Sequence, residues 1–274
     1  MSIESKDDFD AGAYWRDRVI SGSDLAIVGH RSMGPAYNSE IYARRIEVLE
    51  KVVPELVSGS MANTKLLDIG CGSGFYTNYW QKLGVKEYVG LDISKNTVDY
   101  LSESFPDFKF DQADIARLIP QSAEQGGPFD IVTVFDVLYH IVDSTLFESA
   151  VANVGKTVKT GGHVIVMDQL HRNQYQISKH VVYRDRDYYL SQFEQHNLKL
   201  VGSELLFHFL VPPVTGIRLL DYLAAFAFRM TGIGIRRMDF ASKILATSMR
   251  RLDTFLRHHD IKASNSELLV FRKY

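Results

Sequence analysis

The sequence predicts an α/β protein built on a doubly wound sheet, with a helical segment ahead of it and a helical cap before the last strand. Three observations predict it. From Thr64 onward, short apolar runs alternate with helical periods, the order that makes parallel strands joined by crossover helices. The first run, Leu66-Leu67-Asp68-Ile69, stops in the glycine-rich stretch Gly70-Cys71-Gly72-Ser73-Gly74. The runs that follow lead into acidic residues, Asp92, Asp114 and Asp136, at the strand ends where open α/β sheets bind ligands.

Each element has its own signal. The first sixty residues read as a helical approach segment, with Tyr14 and Trp15 in a short amphipathic stretch and 28–35 as loop. Ser39 is the expected cap of a helix carrying Ile41, Tyr42, Ile46, Leu49 and Val53 on one side, with Pro54 near its end. Leu66, Leu67 and Ile69 make the first strand. A helix with Phe75, Tyr79, Trp80 and Leu83 on one face follows and stops at Gly84. Tyr88, Val89 and Leu91 form the second strand, and Ser94 caps a helix bearing Val98, Leu101 and Phe105. Phe108 and Phe110 mark a third strand and 129–135 a fourth. A helix through Leu146, Ala150, Val151 and Val154 leads to Gly161-Gly162 and a fifth strand over 163–167.

Past Asp168 the pattern loosens. Residues 186–196 read as helix, 198–209 as strand and 266–272 as a closing strand. The long stretch between those strands has helical periodicity, and loops beyond about 15 residues are seldom structureless in a compact domain. The expected organisation is therefore an approach segment over 1–60, a core of 61–209 with 264–274, and an inserted helical cap over 210–263.

Composition narrows the classes. A hydrophobic share of 46% with 23% charged residues is ordinary for a globular chain and excludes wholesale disorder. The net charge of −2 gives no reason to expect nucleic acid as a partner. The single cysteine, Cys71, excludes an internal disulfide framework and a zinc site of several thiolates. The acidic opening MSIESKDDFD lacks the order of a signal peptide. No apolar run reaches the roughly 18 to 20 residues of a spanning helix. A soluble, cytoplasmic protein is expected.

The glycine stretch carries the chemistry. A strand that ends in alternating glycines and opens into a helix lets backbone N–H groups approach a ligand closely. A dinucleotide site asks for G-x-G-x-x-G, but Phe75 holds the third glycine's place and the glycines read G-x-G-x-G. Asp68 stands two residues before the first glycine. Its carboxylate repels a pyrophosphate and attracts an ammonium, so a cationic nucleoside is the expected ligand. Asp92 can accept both ribose hydroxyls. Asp114 can accept from an adenine amino group with Ile115 against the ring. Asp136 either caps a loop or lines the cofactor side of the site.

On these residues the chain resembles the class I S-adenosylmethionine-dependent methyltransferases of the small-molecule type. The matching segments are Leu66 to Gly74, Gly90 to Ser94, Ala113-Asp114-Ile115, Phe129 to Ile141 and Gly161 to Val166. The resemblance implies a Rossmann-like sheet of seven strands whose last runs antiparallel, and S-adenosylmethionine as methyl donor. It implies that Asp68 and the backbone of Gly70, Cys71, Gly72 and Gly74 hold the methionine portion. It also implies that Asp92 holds the ribose and Asp114 the adenine, with Ile93 and Ile115 packed on the ring.

The acceptor is less legible. Transfer to a hydroxyl of a small, lipid-linked or sugar-linked acceptor is expected; the alternatives are nitrogen or carbon methylation on the same scaffold, or a cofactor-binding regulatory subunit. Oxygen methylation needs an aligned nucleophile and often a base, and imidazole has a suitable ordinary pKa near 6.5. His140, just past the fourth strand, is the first candidate base, and His171, after the fifth, the second. Either can instead be a packed, hydrogen-bonded histidine. His30 belongs to the approach loop, while Tyr14, Trp15, Tyr37 and Tyr42 line a chamber or anchor the approach helices. No metal site is expected, although Asp136, Asp168 and His171 share one region. Residues 216–259 hold eight basic residues against three acidic ones, a local +5. That is a solvated helix face or a site for an anionic acceptor or peripheral membrane contact.

Overall fold

The computed structural model describes residues 34–57, 59–207, 210–211, 217, 219–224, 226, 230, 239–258 and 266–274. Tyr14, Trp15 and His30, and much of the expected cap, lie outside the described residues.

Helix α1 (Gly34–Leu56) buries Tyr37, Ile41, Tyr42, Arg45, Val48, Leu49, Val52 and Val53 along one stripe. It begins well before Ser39 because Gly34-Pro35 opens a helix there instead of closing a loop. Proline suits the first turn, where no intrahelical N–H bond is lost. Asn38 Nδ2 donates to the Gly34 carbonyl at 2.8 Å.

The sheet follows. Strands β1 (Lys65–Ile69), β2 (Glu87–Asp92), β3 (Lys109–Gln112), β4 (Phe129–Phe135) and β5 (Val158–His171) run parallel in the order β3-β2-β1-β4-β5. Between them lie α2 (Phe75–Lys82), α3 (Lys95–Ser104), α4 (Gln121–Gly126) and α5 (Ser144–Thr157). Strand β9 (Ser266–Lys273) runs antiparallel to β5 and to β8 (Leu198–Leu205). These seven strands form the expected mixed sheet with its antiparallel last strand. Helix α6 (Arg186–Glu194) precedes β8, and α7 (Asp239–His258) precedes β9.

One element was not anticipated. Strands β6 (Tyr175–Ser178) and β7 (Val181–Asp185) form a hairpin whose second strand joins the tip of β5, pairing Leu170 with Arg184 and His171 with Asp185. The β6 residues Gln176 and Ile177 are exposed, so the strand lacks the buried alternation by which strands are read.

Neighbouring residues of each buried strand face opposite layers, which is why the strands read as continuous apolar runs. Leu66, Ile131, Ile165, Met167, Leu268 and Val270 pack toward α1 and α2 with Trp80. Leu67, Val89, Val132, Val134, Val166 and Leu269 pack toward α5 and α6 with Phe147 and Phe193. Both layers leave the carboxyl ends of β1, β2, β4 and β5 pointing at one edge. Among the described residues, no helix is long and apolar enough to cross a membrane.

Candidate active site

The turn after β1 is built by glycine backbone. Gly70, Gly72 and Gly74 have φ of 78°, 53° and 78°, the left-handed region that L side chains rarely adopt. Space is closed as well: a Cβ on Gly70 would lie 2.3 Å from Val137 Cγ2, and one on Gly74 2.5 Å from Leu101 Cδ2. The Gly70 and Cys71 amides donate to the Leu91 carbonyl at 2.7 and 3.0 Å, pinning the turn to the end of β2. Cys71 is buried, and burial pushes its thiol well above the usual range. It packs the turn and offers no reactive thiolate at neutral pH.

Asp92 stands at the mouth of this turn. Its carboxylate accepts from the Gly72 amide at 3.0 Å and from the Ser94 amide at 2.9 Å. Burial pushes its carboxyl up to about 6, against the lowering effect of those two amides. Asp68 lies deeper, 1% exposed. Its oxygens accept from the Thr133 hydroxyl at 2.7 Å and the Tyr88 hydroxyl at 2.9 Å. Burial raises it too, to about 6, while both hydroxyls oppose the shift. Tyr88 and Thr133 are thus the partners that make a buried carboxylate tenable under the turn.

Asp114 closes its own turn: it accepts from the Ala116 amide at 3.0 Å and from Arg117 Nε at 3.1 Å. Ile115 is buried and Ile93 half-buried on neighbouring strand ends. The acidic ends of β2 and β3 are joined by the bond from the Ala113 amide to the Asp92 carbonyl at 2.9 Å.

Asp136 has a positive φ of 59°, and its carboxylate is gripped at both oxygens by Arg45 from α1. Sequence reasoning missed Arg45, although a signal existed: it falls on the apolar stripe of α1, four residues after Ile41 and three before Val48. A cation at a core-facing position needs a buried partner. The guanidinium also lies 5.3 Å from the Tyr42 ring centre and 5.8 Å from that of Phe207. Burial opposes its charge, but Asp136 and the nearby tyrosines outweigh burial and hold it cationic. Tyr42 and Tyr76 pack around this pair, and the Tyr37 hydroxyl donates to the Leu210 carbonyl. The described approach aromatics are therefore buried anchors of α1.

His140 ends a short 3-10 turn (Leu138–His140). Its Nδ1 lies 2.8 Å from the His180 carbonyl, and a carbonyl can only accept. Nδ1 therefore carries the proton, and in the neutral ring the basic lone pair belongs to Nε2. The His180 ring stacks on that of His140 at 5.7 Å, so the unanticipated hairpin forms a wall beside this histidine. Arg184 of β7 holds the same loop by donating to the carbonyls of Leu138 and Ile141. His171 ends β5, and its Nδ1 faces the Asn173 carbonyl at 2.9 Å. Asp168, within β5, is buried and accepts from the Tyr189 hydroxyl at 2.8 Å, and burial pushes it up to about 7. Among the described residues, no three His, Cys, Asp or Glu side chains gather to hold a metal ion.

The donor set suits a cationic nucleoside. Carboxylates stand at the tips of β1 and β2, and the Gly72 amide is already directed at Asp92 instead of toward an incoming phosphate. Comparison with known proteins points the same way. Residues 67–164 match a family model described as a methyltransferase domain. Ubiquinone biosynthesis O-methyltransferases of Nitrosococcus oceani and Alkalilimnicola ehrlichii are each 31% identical, over 109 and 116 residues. Those stretches are 38% and 42% of this chain and 43% and 45% of the relatives. The chain thus spans less than half the length of the curated relatives it matches. Two solved structures share the fold. Magnesium protoporphyrin IX methyltransferase from Synechocystis, with bound S-adenosylmethionine, has a TM-score of 0.53 at 18% identity, over 73% of this chain and 92% of that one. The 1,6-didemethyltoxoflavin-N1-methyltransferase of Burkholderia thailandensis has a TM-score of 0.51 at 12% identity, over 99% and 93%.

Proposed function

We propose that this chain, whose residues 67–164 match a family model described as a methyltransferase domain, is a class I S-adenosylmethionine-dependent methyltransferase that moves the sulfonium methyl onto a hydroxyl of a small or lipid-linked acceptor. The observation that carries the reading is the left-handed glycine turn of β1 with the Asp92 carboxylate at its mouth. That arrangement suits a ribose diol beside a cationic sulfur. The likeness to the ubiquinone biosynthesis O-methyltransferases supports oxygen as the acceptor atom and a lipid-linked acceptor as its class. An acceptor of that class is met at a bilayer, which the basic composition of 216–259 suits.

When bound, S-adenosylmethionine supplies a methyl group activated by positive sulfur. In this reading the turn at Gly70–Gly74 and Asp68 receive the methionine portion, Asp92 the ribose, and Asp114 with Ile93 and Ile115 the adenine. His140 takes the acceptor proton at Nε2, its ring oriented by the bond from Nδ1 to the His180 carbonyl. As the bond from acceptor oxygen to methyl carbon forms, the bond from methyl carbon to sulfur breaks, leaving S-adenosylhomocysteine. Alignment supplies most of the acceleration. His171, the last residue of β5, is the second candidate for contact with the acceptor.

The test is incubation with methyl-labelled cofactor and a cell extract. Label moving into an organic-soluble product supports the reading, and its absence from every fraction contradicts it. With the product's acceptor in hand, His140→Ala should lower turnover by roughly a hundredfold while leaving cofactor affinity nearly unchanged; unaltered turnover would return His140 to a packing role.

A further inference from the structure

The turn that carries His140 is fastened by its backbone, and the fastening comes from one buried side chain. Arg184 of β7 is 1% exposed. Its Nη1 donates to the Leu138 carbonyl at 3.1 Å and its Nη2 to the Ile141 carbonyl. Those carbonyls bracket the turn, since Leu138 opens it and Ile141 is the residue just past His140. The turn's own bonds run from the His140 amide to the Val137 carbonyl at 2.9 Å and from the Ile141 amide to the Leu138 carbonyl at 3.1 Å. Such 3-10 bonds have poor geometry and hold a short turn weakly. A planar guanidinium presents its donors in a fixed fork that spans two carbonyls, whereas an ammonium is a point donor.

Arg184 is itself fixed in place. Its backbone pairs with Leu170 at the tip of β5, and its guanidinium lies 3.9 Å from the ring centre of Phe147 in α5. Burial opposes its charge, and the nearby Asp168 favours it. An apolar residue of similar volume would be easier to bury, so what distinguishes the guanidinium here is the pair of carbonyls it holds. Other parts of the same hairpin converge on the same turn. The Tyr183 ring meets that of Tyr139 edge-on at 6.2 Å, and the His180 carbonyl lies 2.8 Å from His140 Nδ1. Ser178 Oγ lies 3.3 Å from His180 Nδ1 and steadies the end of the hairpin. A side chain, a ring and a carbonyl of one element thus engage Leu138, Tyr139, His140 and Ile141 in succession.

We propose that Arg184 is a positioning residue for His140. By holding the Leu138 and Ile141 carbonyls to β7, it keeps the imidazole against the His180 carbonyl, so that Nδ1 stays protonated and the lone pair stays at Nε2. Arg184 acts through the turn, and the proton transfer belongs to His140. The inference rests on the reading of His140 as the base, but the tautomer is measurable without turnover.

Nitrogen–proton correlation NMR of the full, isotope-labelled chain at about pH 8, where an ordinary imidazole is neutral, reads the tautomer. The His140 signals are assigned by their loss in His140→Gln. The parent should show a single Nδ1–H tautomer, and Arg184→Met a mixture of the two. With the acceptor in hand, kcat of Arg184→Met should fall by at least about tenfold while KM for S-adenosylmethionine changes by less than about twofold. Val182→Ala truncates a buried neighbour on β7 without removing either guanidinium bond, and it should keep the parent's tautomer. A mixture in Val182→Ala as well would reduce Arg184 to a stability role and overturn the proposal. So would a parent that carries the proton on Nε2, or an Arg184→Met protein with the parent's tautomer. Should Arg184→Met fail to fold, Arg184→Lys, which keeps the charge without the fork, decides: a mixture supports the proposal and the parent's tautomer overturns it. A chain with every expected tautomer but no methyl transfer would refute the reading of His140 as a base and leave the hold of Arg184 on the ring standing.

Discussion

At the scale of single residues, the account turns on acids whose protonation the fold has altered. Asp92 must offer a carboxylate to receive two hydroxyl donors, yet burial has raised it to about 6. Cofactor binding favours its ionised form, so affinity should be full above pH 6. Below that it should fall, by at most about tenfold per pH unit. Titrations between about pH 5 and about pH 8 check this, and Asp92→Asn should bind more weakly with a shallower profile, Asp68, also raised to about 6, keeping the remaining dependence. A parent affinity independent of pH across that window would remove Asp92 from the ribose. The unliganded fold has the opposite dependence. Asp68 and Asp92 bind their protons more tightly folded than unfolded, so their contribution to stability is present in acid and lost as pH rises through about 6. Asp68, Asp92 and Asp114 were all visible in the sequence, because each lies in, ends or follows an apolar run. Their immediate partners were not. Tyr88 and Thr133 reach Asp68 only because β2 and β4 flank β1, a relation set by strand order and not by nearness along the chain.

At the scale of elements, the strands of the sheet were legible, and the hairpin beside the β5 tip and the start of α1 were not. Strands β1, β2, β4 and β9 have buried apolar runs bounded by turn residues, and sequence and structure agree on them closely. The hairpin β6–β7 carries polar, exposed residues and is held by its contact with the β5 tip, which no local pattern announces. Helix α1 was visible by its stripe, but its start and its Arg45 were not read. Arg45 and Asp136 tie α1 to the loop after β4, and Val137 of that loop closes over Gly70. The pair should therefore behave as one unit. Arg45→Met leaves the Asp136 carboxylate without its cation and should cost on the order of 3 kcal/mol in urea unfolding. Arg45→Met combined with Asp136→Asn should cost less than the two single changes added together. Strict additivity would show that the contact does not couple the helix to the loop.

At the scale of the whole molecule, two layers of helices bury a seven-stranded sheet, and at its carboxyl edge the glycine turn, Asp92, Asp114 and the turn carrying His140 each end or follow a strand. Order along the chain sets this arrangement: the glycine turn follows β1, Asp92 ends β2, Asp114 follows β3 and His140 follows β4. In the proposed reading this edge receives a positively charged sulfur nucleoside and not a dinucleotide. Isothermal titration of the purified protein with S-adenosylmethionine and, separately, with NADH tests it most directly. Saturable one-to-one binding of S-adenosylmethionine, weakened by tenfold to about a hundredfold in Asp92→Ala, is expected, with no heat from NADH. Saturable NADH binding with none of S-adenosylmethionine would contradict it.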